Sequence, residues 1–253
     1  MMAMTETTGS ADTTGGTDTT GSTTDSTAHL PTVEILFFDG FDELDAVGPW
    51  EVLSAAGFPV RPVGWPGDRG TVVAAHGLRI GVDGPISDAP GLLLVPGGGW
   101  VHGTGVRHLV EDSALPARVA QLHAAGTVMA SVCTGGLILA KAGLLRGRPA
   151  VTNRLALGAL RAYGADVRDD ARVVDDGDIV TSGGPLMGID LALRLVDRWL
   201  GPEAALAAAG RIEHERRGPL VVTSGSVTSG GVTSGGVTGG GHAAPVSSAA
   251  AAS

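Results

Sequence analysis

This 253-residue chain has a single cysteine, Cys133. A single cysteine excludes an internal disulfide and a cluster of thiolate metal ligands. Positive charge is also scarce, because 17 Lys and Arg face 26 Asp and Glu, and the net charge is −9. Phosphate contacts need clustered positive charge, so a nucleic-acid partner is not expected. No run approaches the roughly 20 apolar residues that span a bilayer, and the histidines show no metal-ligand spacing, so neither a membrane nor a metal is expected.

Large apolar side chains are nearly absent from both ends of the chain. Residues 1–29 are mostly Thr, Gly, Ser, Ala and Asp, and residues 221–253 are rich in Val, Thr, Ser and Gly with a crude five-residue period. Such segments bury too little apolar surface to offset chain entropy, so both are predicted to be disordered tails. Residues 30–220 suit one domain with a substantial core. The first tail lacks a signal-peptide pattern and the thiol is unpaired, so we expect a cytoplasmic protein.

Strand and helix patterns alternate within residues 30–220. Strands are predicted at TVEILFF (32–38), PVRPVGW (59–65), TVVAAHGLRI (71–80), GLLLVP (91–96) and TVMASV (127–132), and as an Asp-Gly hairpin in RVVDDGDIVTSGG (172–184). Helices are predicted within residues 50–57, 106–126 with a break near Pro116, 134–145, 153–165, 185–201 and 202–215. Apolar strands followed by helices predict a mostly parallel sheet covered on both faces. Ligands bind such sheets beyond the carboxyl ends of the strands, and three ends stand out here: 39–49, 96–102 and 133–136.

Cys133 lies where the strand TVMASV gives way to Thr-Gly-Gly and an Ala- and Leu-rich helix. The small-x-nucleophile-x-Gly spacing of residues 131–135 is typical of a nucleophile elbow, and the start of a helix favours the thiolate. The N–H of Thr134 would face the reacting centre. A second free N–H from the loop 96–99 would complete an oxyanion hole. The alternative is that Cys133 is simply a small buried hydrophobe.

Two acidic residues, Glu43 and Asp45, lie in the predicted loop after the first strand. Asp45 is a candidate to shuttle protons to and from the thiol, or it caps the following helix. Trp100 and His102 follow the glycine loop, where each either lines a pocket or packs the loop. The glycine spacing misses the dinucleotide motif G-x-G-x-x-G, because His102 stands where its last glycine belongs.

Four segments resemble the DJ-1/PfpI superfamily, and most closely its isonitrile hydratase branch. They are, in order, ILFFDGFDELDAVGPWEVL, LLLVPGGG, VMASVCTGGLILAKAGLLRGRPAVTN and TSGGPLMGIDLALRLVDRWLG. The resemblance covers nearly all of Val33 to about Arg216. It implies a flavodoxin-like α/β three-layer sandwich with a mostly parallel sheet, related to class I glutamine amidotransferases and usually a homodimer.

The resemblance also implies a set of site residues. They are Cys133 as the nucleophile, Asp45 as its acidic partner, and the amides of Gly98 and Thr134 as oxyanion donors. The glycine loop itself adds Gly97 and Trp100 as candidate substrate-binding residues. An aspartate at position 45 is the isonitrile hydratase pattern, whereas the DJ-1 branch proper has a glutamate. The implied reaction adds Cys133 to a small-molecule isonitrile and releases an N-substituted formamide, with no metal or organic cofactor.

The chain departs from the family pattern at two positions. PfpI peptidases place a histidine directly after the cysteine, where this chain has Thr134, so a Cys-His protease would lack its base. Many relatives carry Thr-x-His-Trp where this chain reads AVTNRLA, and Asn153 stands at the histidine position, able to hydrogen-bond but not to titrate.

The related transcription regulators append a helix-turn-helix domain, for which the glycine- and serine-rich end of this chain has no counterpart.

Two other functions remain open at this point. One is a different cysteine-dependent reaction on the same fold, either glyoxalase-type hydration of an α-oxoaldehyde or amidase-like hydrolysis. The other is a non-enzymatic redox-sensing or partner-binding role built around a cysteine of low pKa.

Overall fold

The computed structural model describes residues 30–66, 70–101, 105–216 and 218–223. The elements are, in chain order, β1 (Val33–Phe37), α1 (Glu43–Ala55), β2 (Val60–Gly64), β3 (Thr71–Val73), β4 (Arg79–Gly81), β5 (Leu92–Val95), α2 (Val106–Asp112), α3 (Leu115–Ala124), β6 (Val128–Ser131), α4 (Gly136–Lys141), β7 (Pro149–Ala150), α5 (Leu157–Ala162), β8 (Asp166–Val167), β9 (Val173–Asp175), β10 (Ile179–Ser182), α6 (Met187–Leu200), α7 (Pro202–Arg211) and β11 (Leu220–Val222). Short 3-10 turns span Cys133–Gly135 and Arg154–Ala156. The tails up to residue 29 and from residue 224, and His102, lie outside the described residues.

The central sheet has seven strands in the order β11-β9-β10-β6-β5-β1-β2. Five neighbouring strands, from β10 to β2, run parallel. The strand β9 turns back against β10 in the predicted Asp-Gly hairpin, and β11 runs parallel to β9. Every residue of β1, β5 and β10 is buried, as expected where helices cover both faces of a sheet. The prediction of a mostly parallel sheet is confirmed.

The helices form two layers on opposite sides of the sheet. One layer holds α1, α6 and α7, which contact one another, and the other holds α2, α3, α4 and α5. In α6 the apolar residues Leu191 and Leu195 face the core and are fully buried. Burial of each such side chain contributes about 1.5–3 kcal/mol. An edge-to-face contact between Phe58 and Trp199 joins the end of α6 to the loop after α1. The fold is therefore a flavodoxin-like three-layer sandwich.

Helix α1 begins at Glu43, whereas the sequence predicted a loop up to Pro49 and a helix from Trp50. Asp42 caps the helix, because its Oδ1 accepts a hydrogen bond from the N–H of Leu44 at 3.2 Å. Pro49 lies inside the helix and is buried, where Gly188 of α6 leaves room for close approach. This packing outweighs the local preference of proline for a helix end. Asp45 therefore lies in the first turn of a helix and not in a loop.

Strand β11 ends at Val222, two residues beyond the predicted end of the domain at residue 220. It pairs in parallel with β9, from Leu220 opposite Val173 to Val222 opposite Asp175. The Thr-Ser-Gly repeats that follow explain why Val221 and Val222 were predicted to belong to the tail.

Among the described helices, none combines the length and hydropathy required to cross a bilayer.

Candidate active site

Cys133 lies at a sharp turn between β6 and α4. Val132 is still extended at φ −115° and ψ 141°, but Cys133 has φ +56°, a left-handed conformation that few non-glycine residues adopt. The N–H of Cys133 donates to the carbonyl of Gly183 at 3.0 Å, and the hydroxyl of Thr152 donates to the carbonyl of Cys133 at 2.6 Å. Hydrogen bonds at both ends hold the strained residue in place, and the turn has the geometry of a nucleophile elbow.

Glycines surround this elbow because no side chain fits beside it. A Cβ at Gly184 would lie 2.5 Å from Sγ of Cys133, and a Cβ at Gly135 would overlap the carbonyl oxygen of Val95. A real Cβ does not approach other heavy atoms so closely, so a side chain at either position would displace the turn. The loop after β10 therefore presses its backbone against the cysteine.

Asp45 reaches the thiol from the first turn of α1. Its Oδ2 accepts a hydrogen bond from the N–H of Gly97 at 2.9 Å. A Cβ at Gly97 would lie 2.5 Å from this Oδ2 and 2.8 Å from Cβ of Cys133, so Gly97 marks the point where helix, loop and elbow meet. The alternative that Asp45 caps the helix is wrong, because Asp42 fills that position.

Glu43, the second acidic candidate, points away from the thiol. Its Oε1 accepts the backbone N–H of His76 at 2.8 Å, and its Oε2 lies 2.7 Å from Nδ1 of the same histidine. These bonds join the start of α1 to the β3–β4 hairpin. The structure thus separates two neighbouring acids, and only Asp45 is directed into the site.

Burial governs the protonation of the Cys133–Asp45 pair. It raises the pKa of Asp45 to about 7, with repulsion from Asp42 acting in the same direction and the Gly97 hydrogen bond opposing it. Within the described residues, Oδ1 of Asp45 is buried without a hydrogen-bond partner, which also disfavours the carboxylate.

The thiol is affected in the same way. Burial, followed by the negative charge of Asp45, raises the pKa of Cys133 to about 12. This shift opposes the expected preference of the helix start for the thiolate. Only a 3-10 turn and the six-residue helix α4 follow the cysteine, while its exposed fraction is 7%. The neutral thiol is the resting form, and sulfur must lose its proton as it reacts.

The two predicted oxyanion donors differ from each other. The N–H of Thr134 is hydrogen-bonded to the Cys133 side chain and lowers its pKa. The N–H of Gly98, which was expected to be free, donates to Oγ1 of Thr134 at 2.9 Å, and that hydroxyl is also 2.9 Å from the carbonyl oxygen of Gly98. The hydrogen bonds between Gly98 and Thr134 could not be predicted from the sequence, because they join two loops that are distant along the chain. Thr134 stands where PfpI peptidases have a histidine.

Trp100 occupies the edge of the site. Its ring is partly buried against the core, and the guanidinium of Arg107 lies over it, 6.0 Å from the ring centroid. Its described contacts are those of a packed loop aromatic, so a substrate role for Trp100 stays a prediction.

A cavity of about 390 Å³ lies beside the elbow, and its lining includes Asn153, Gly183, Gly184 and Met187. The volume falls in the range of small-molecule sites. Three of these lining residues also contact Cys133. Nδ2 of Asn153 donates to its Sγ at 3.1 Å, the carbonyl of Gly183 accepts from its N–H, and Gly184 packs against it.

Three residues that contact Cys133 were not predicted from the sequence, namely Thr152, Gly183 and Gly184. Gly183 and Gly184 were included in a predicted hairpin, although a Gly-Gly pair that ends a buried strand is the same signal that marked the loop at Gly97 and Gly98. Thr152 carries no such signal, because its bond to Cys133 depends on tertiary packing alone.

The chain is similar in sequence and in structure to known proteins. Residues 31–198 match the model of the DJ-1/PfpI family. The chain is 33% identical over 190 residues to an isonitrile hydratase of Pseudomonas putida, covering 74% of this chain and 80% of the relative. It is 29% identical over 157 residues to a deglycase of Thermococcus kodakarensis, covering 60% and 90% of the two chains. A crystal structure of a ThiJ/PfpI family protein from Pseudomonas syringae superposes with a TM-score of 0.66 at 27% identity, covering 75% and 77%.

Proposed function

The chain belongs to the DJ-1/PfpI family, and on that basis we propose that it hydrates an isonitrile to an N-substituted formamide, using Cys133 as the nucleophile. The observation that carries the proposal is the buried pair of Cys133 and Asp45, a thiol beside a carboxyl whose pKa of about 7 suits it to take and return protons. The similarity to the Pseudomonas putida isonitrile hydratase supports this choice of substrate.

The first half of the proposed reaction forms a carbon–sulfur bond. The Asp45 carboxylate takes the thiol proton while sulfur adds to the terminal carbon of the isonitrile. Asp45 then delivers that proton to the same carbon, which gives a thioimidate on Cys133. The Thr134 N–H, already bonded to the thiol group, stabilises the charge on sulfur as it develops.

The second half consumes one water molecule. Asp45, again a carboxylate, takes a proton from water as the water oxygen adds to the thioimidate carbon, and the proton passes to the substrate nitrogen. The carbon–sulfur bond then breaks, the hydroxyl proton passes through Asp45 to sulfur, and the formamide leaves. The sum is one isonitrile plus one water, and no cofactor takes part. The split into two easier steps is the advantage of covalent catalysis.

The remaining predicted residues have supporting roles in this proposal. Gly98 holds the Thr134 side chain through two hydrogen bonds, so it acts through Thr134 and not as a free donor. Gly97 orients the Asp45 carboxyl. The cavity lined by Asn153 and Gly184 would take the organic group of the isonitrile.

Turnover of cyclohexyl isocyanide tests the proposal, with the formamide product followed by mass spectrometry. Wild type is expected to make the formamide, whereas Cys133→Ala and Asp45→Asn are expected to lose it. Glu43→Gln is the matched control, since Glu43 lies in the same helical turn and binds His76 instead of the thiol. Formamide production by Cys133→Ala at the wild-type rate would overturn the mechanism.

A second candidate is another Cys133-dependent reaction, on an α-oxoaldehyde or an amide. The similarity to the Thermococcus kodakarensis deglycase supports it. The same purified protein would then consume an α-oxoaldehyde or an amide and make no formamide. Modification of Cys133 by peroxide without turnover of any of these compounds would instead favour a redox-sensing role.

We also propose that the protein is a cytoplasmic homodimer. The location is supported by the single thiol, which must stay reduced to react. The dimer is supported by exposed apolar side chains at the start of α1 and in the β3–β4 hairpin, namely Leu44, Val47 and Leu78. Val47 also lines a groove of about 340 Å³ together with Trp50 and Ile80, a surface suited to a second copy of the chain.

A further inference from the structure

Asn153 follows β7 and begins the 3-10 turn Arg154–Ala156. Its Oδ1 accepts a hydrogen bond from the N–H of Leu155 at 3.0 Å, which caps the turn. With the amide oxygen fixed on this donor, the amide nitrogen must face the opposite way. Nδ2 there donates to Sγ of Cys133 at 3.1 Å. The orientation of the amide is therefore set by the turn and does not depend on the thiol.

The two consecutive residues Thr152 and Asn153 bind different groups of the cysteine. Thr152 donates its hydroxyl to the Cys133 carbonyl, and Asn153 donates to the Cys133 sulfur. Among the described residues, the Asn153 amide and the Thr134 N–H are the donors beside the sulfur, and Asp45 is the carboxyl beside it.

A negative charge on the Cys133 sulfur requires stabilisation by hydrogen-bond donors at this site. Burial and the Asp45 charge both disfavour a thiolate, and the Asn153 hydrogen bond acts in the opposite direction by lowering the pKa of Cys133. A side-chain amide keeps its N–H groups over the whole range of pH at which the protein is folded, because it does not titrate.

We infer that Asn153 stabilises the Cys133 sulfur whenever that atom carries negative charge, both as it attacks the substrate and as it leaves, and that it does so without exchanging a proton. The inference rests on the proposed function only for the identity of the substrate. The hydrogen bond acts on the sulfur, so it assists attack on any electrophile. Within the described residues, Asp45 is then the titratable side chain that exchanges protons with the reacting thiol.

The test measures the rate at which iodoacetamide alkylates Cys133 between pH 6 and 10, together with formamide production from cyclohexyl isocyanide. Asn153→Ser and Asn153→Asp both keep an oxygen that can cap the turn, and both lose the N–H donor to sulfur. Leu155→Ala is the control, because its side chain is 80% exposed and its backbone N–H is retained. Thermal unfolding of each variant reports on the turn itself.

Asn153→Ser is expected to alkylate about tenfold more slowly than wild type near pH 8, as loss of a hydrogen bond to a charged group implies. Asn153→Asp is expected to react more slowly still, because a second carboxylate would face the sulfur. Both variants should alkylate more slowly than wild type at every pH from 6 to 10, while Leu155→Ala should follow wild type.

Two results would overturn the inference. One is an Asn153→Ser profile that superimposes on wild type. The other is an equal loss of reactivity in Leu155→Ala, which would assign the effect to the turn and not to the amide. If Asn153→Ser alkylates slowly but wild type makes no formamide, the role of Asn153 stands and the proposed substrate is wrong.

Discussion

Oδ2 of Asp45 lies 2.9 Å from the amide nitrogen of Gly97, a residue 52 positions later in the chain. The carbonyl of Gly97 in turn accepts a hydrogen bond from the N–H of Asp42 at 2.9 Å. The loop after β5 and the start of α1 thus exchange two hydrogen bonds. The exchange holds the Asp45 carboxyl against the elbow and keeps it out of water, so its protonation affects both stability and catalysis.

Asp45→Asn is expected to stabilise the protein at alkaline pH. The pKa of Asp45 is raised from 3.8 to about 7 on folding, so the folded state binds the proton more tightly and stability falls as pH rises through this window. One pKa unit corresponds to about 1.4 kcal/mol, and the rise spans about three units, so the variant should gain on the order of 4 kcal/mol at pH 8.5. Urea unfolding from pH 4 to pH 8.5 measures this, and the gain should vanish near pH 4. A difference between the two proteins that does not change with pH would contradict the assignment.

Activity should rise with pH through about 7. The proposed first step needs Asp45 as a carboxylate and Cys133 as a neutral thiol, a state that exists between their pKa values of about 7 and about 12. Because the two groups interact, the midpoint belongs to the pair. The measurement is kcat/KM for the formamide reaction from pH 5.5 to pH 9. Asp45→Asn should be at least 100-fold slower, the usual contribution of a general acid–base group, and should lack the rise. A rate in wild type that is highest at pH 5.5 would rule out the carboxylate as base.

Thr134→Val is expected to lower both stability and activity. Valine matches the shape of threonine but leaves the part-buried N–H and carbonyl of Gly98 without the hydroxyl that they contact. A fully buried polar group left unsatisfied costs about 1–3 kcal/mol, so the loss at this part-buried pair should lie toward about 1 kcal/mol. Thr134→Ser keeps the hydroxyl and should retain most of the stability. Thermal unfolding compares the three proteins, and equal melting temperatures for the Val and Ser variants would show that the hydroxyl bridge is dispensable.

Much of the fold could be predicted from the sequence because the strands are continuous apolar runs bounded by turn residues. The start of α1 could not, since Pro49 argues locally against a helix and its packing near Gly188 appears only in the folded chain. The meeting of Cys133, Asp45 and Gly97 followed from their positions at the ends of neighbouring parallel strands.

Two features of the site could not be predicted from local sequence patterns. The contact of Gly184 with the thiol arises because β10 pairs with β6, which local patterns do not specify. Burial raises the pKa of Cys133 and favours the neutral thiol, whereas a motif that places a cysteine before a helix predicts a thiolate. The location of the site residues in the fold was therefore easier to predict than the protonation state of the cysteine.

Val47→Asp is expected to convert the proposed dimer to a monomer. Val47 is 41% exposed on α1 and borders the apolar groove, so a charge there would have to be buried against the second copy. Leu206→Asp is the control, because Leu206 is 74% exposed on α7. Sedimentation velocity should give a dimer for wild type and the control. A monomeric wild type, or a dimeric Val47→Asp, would contradict this interface.

Gly184→Ala tests the closeness of the β10 loop to the nucleophile. The added Cβ would lie 2.5 Å from Sγ of Cys133, so either the loop or the thiol must move, and a shift of 1 Å at a reacting group can cost about 100-fold in rate. Gly158→Ala is the matched control, since its Cβ would meet nothing within 4 Å and it lies in α5, where alanine favours the helix by up to about 1 kcal/mol. Formamide turnover and the rate of Cys133 alkylation should both fall in Gly184→Ala and stay at the wild-type level in Gly158→Ala. Wild-type turnover by a well-folded Gly184→Ala would mean that the thiol reacts from a position other than the one seen here.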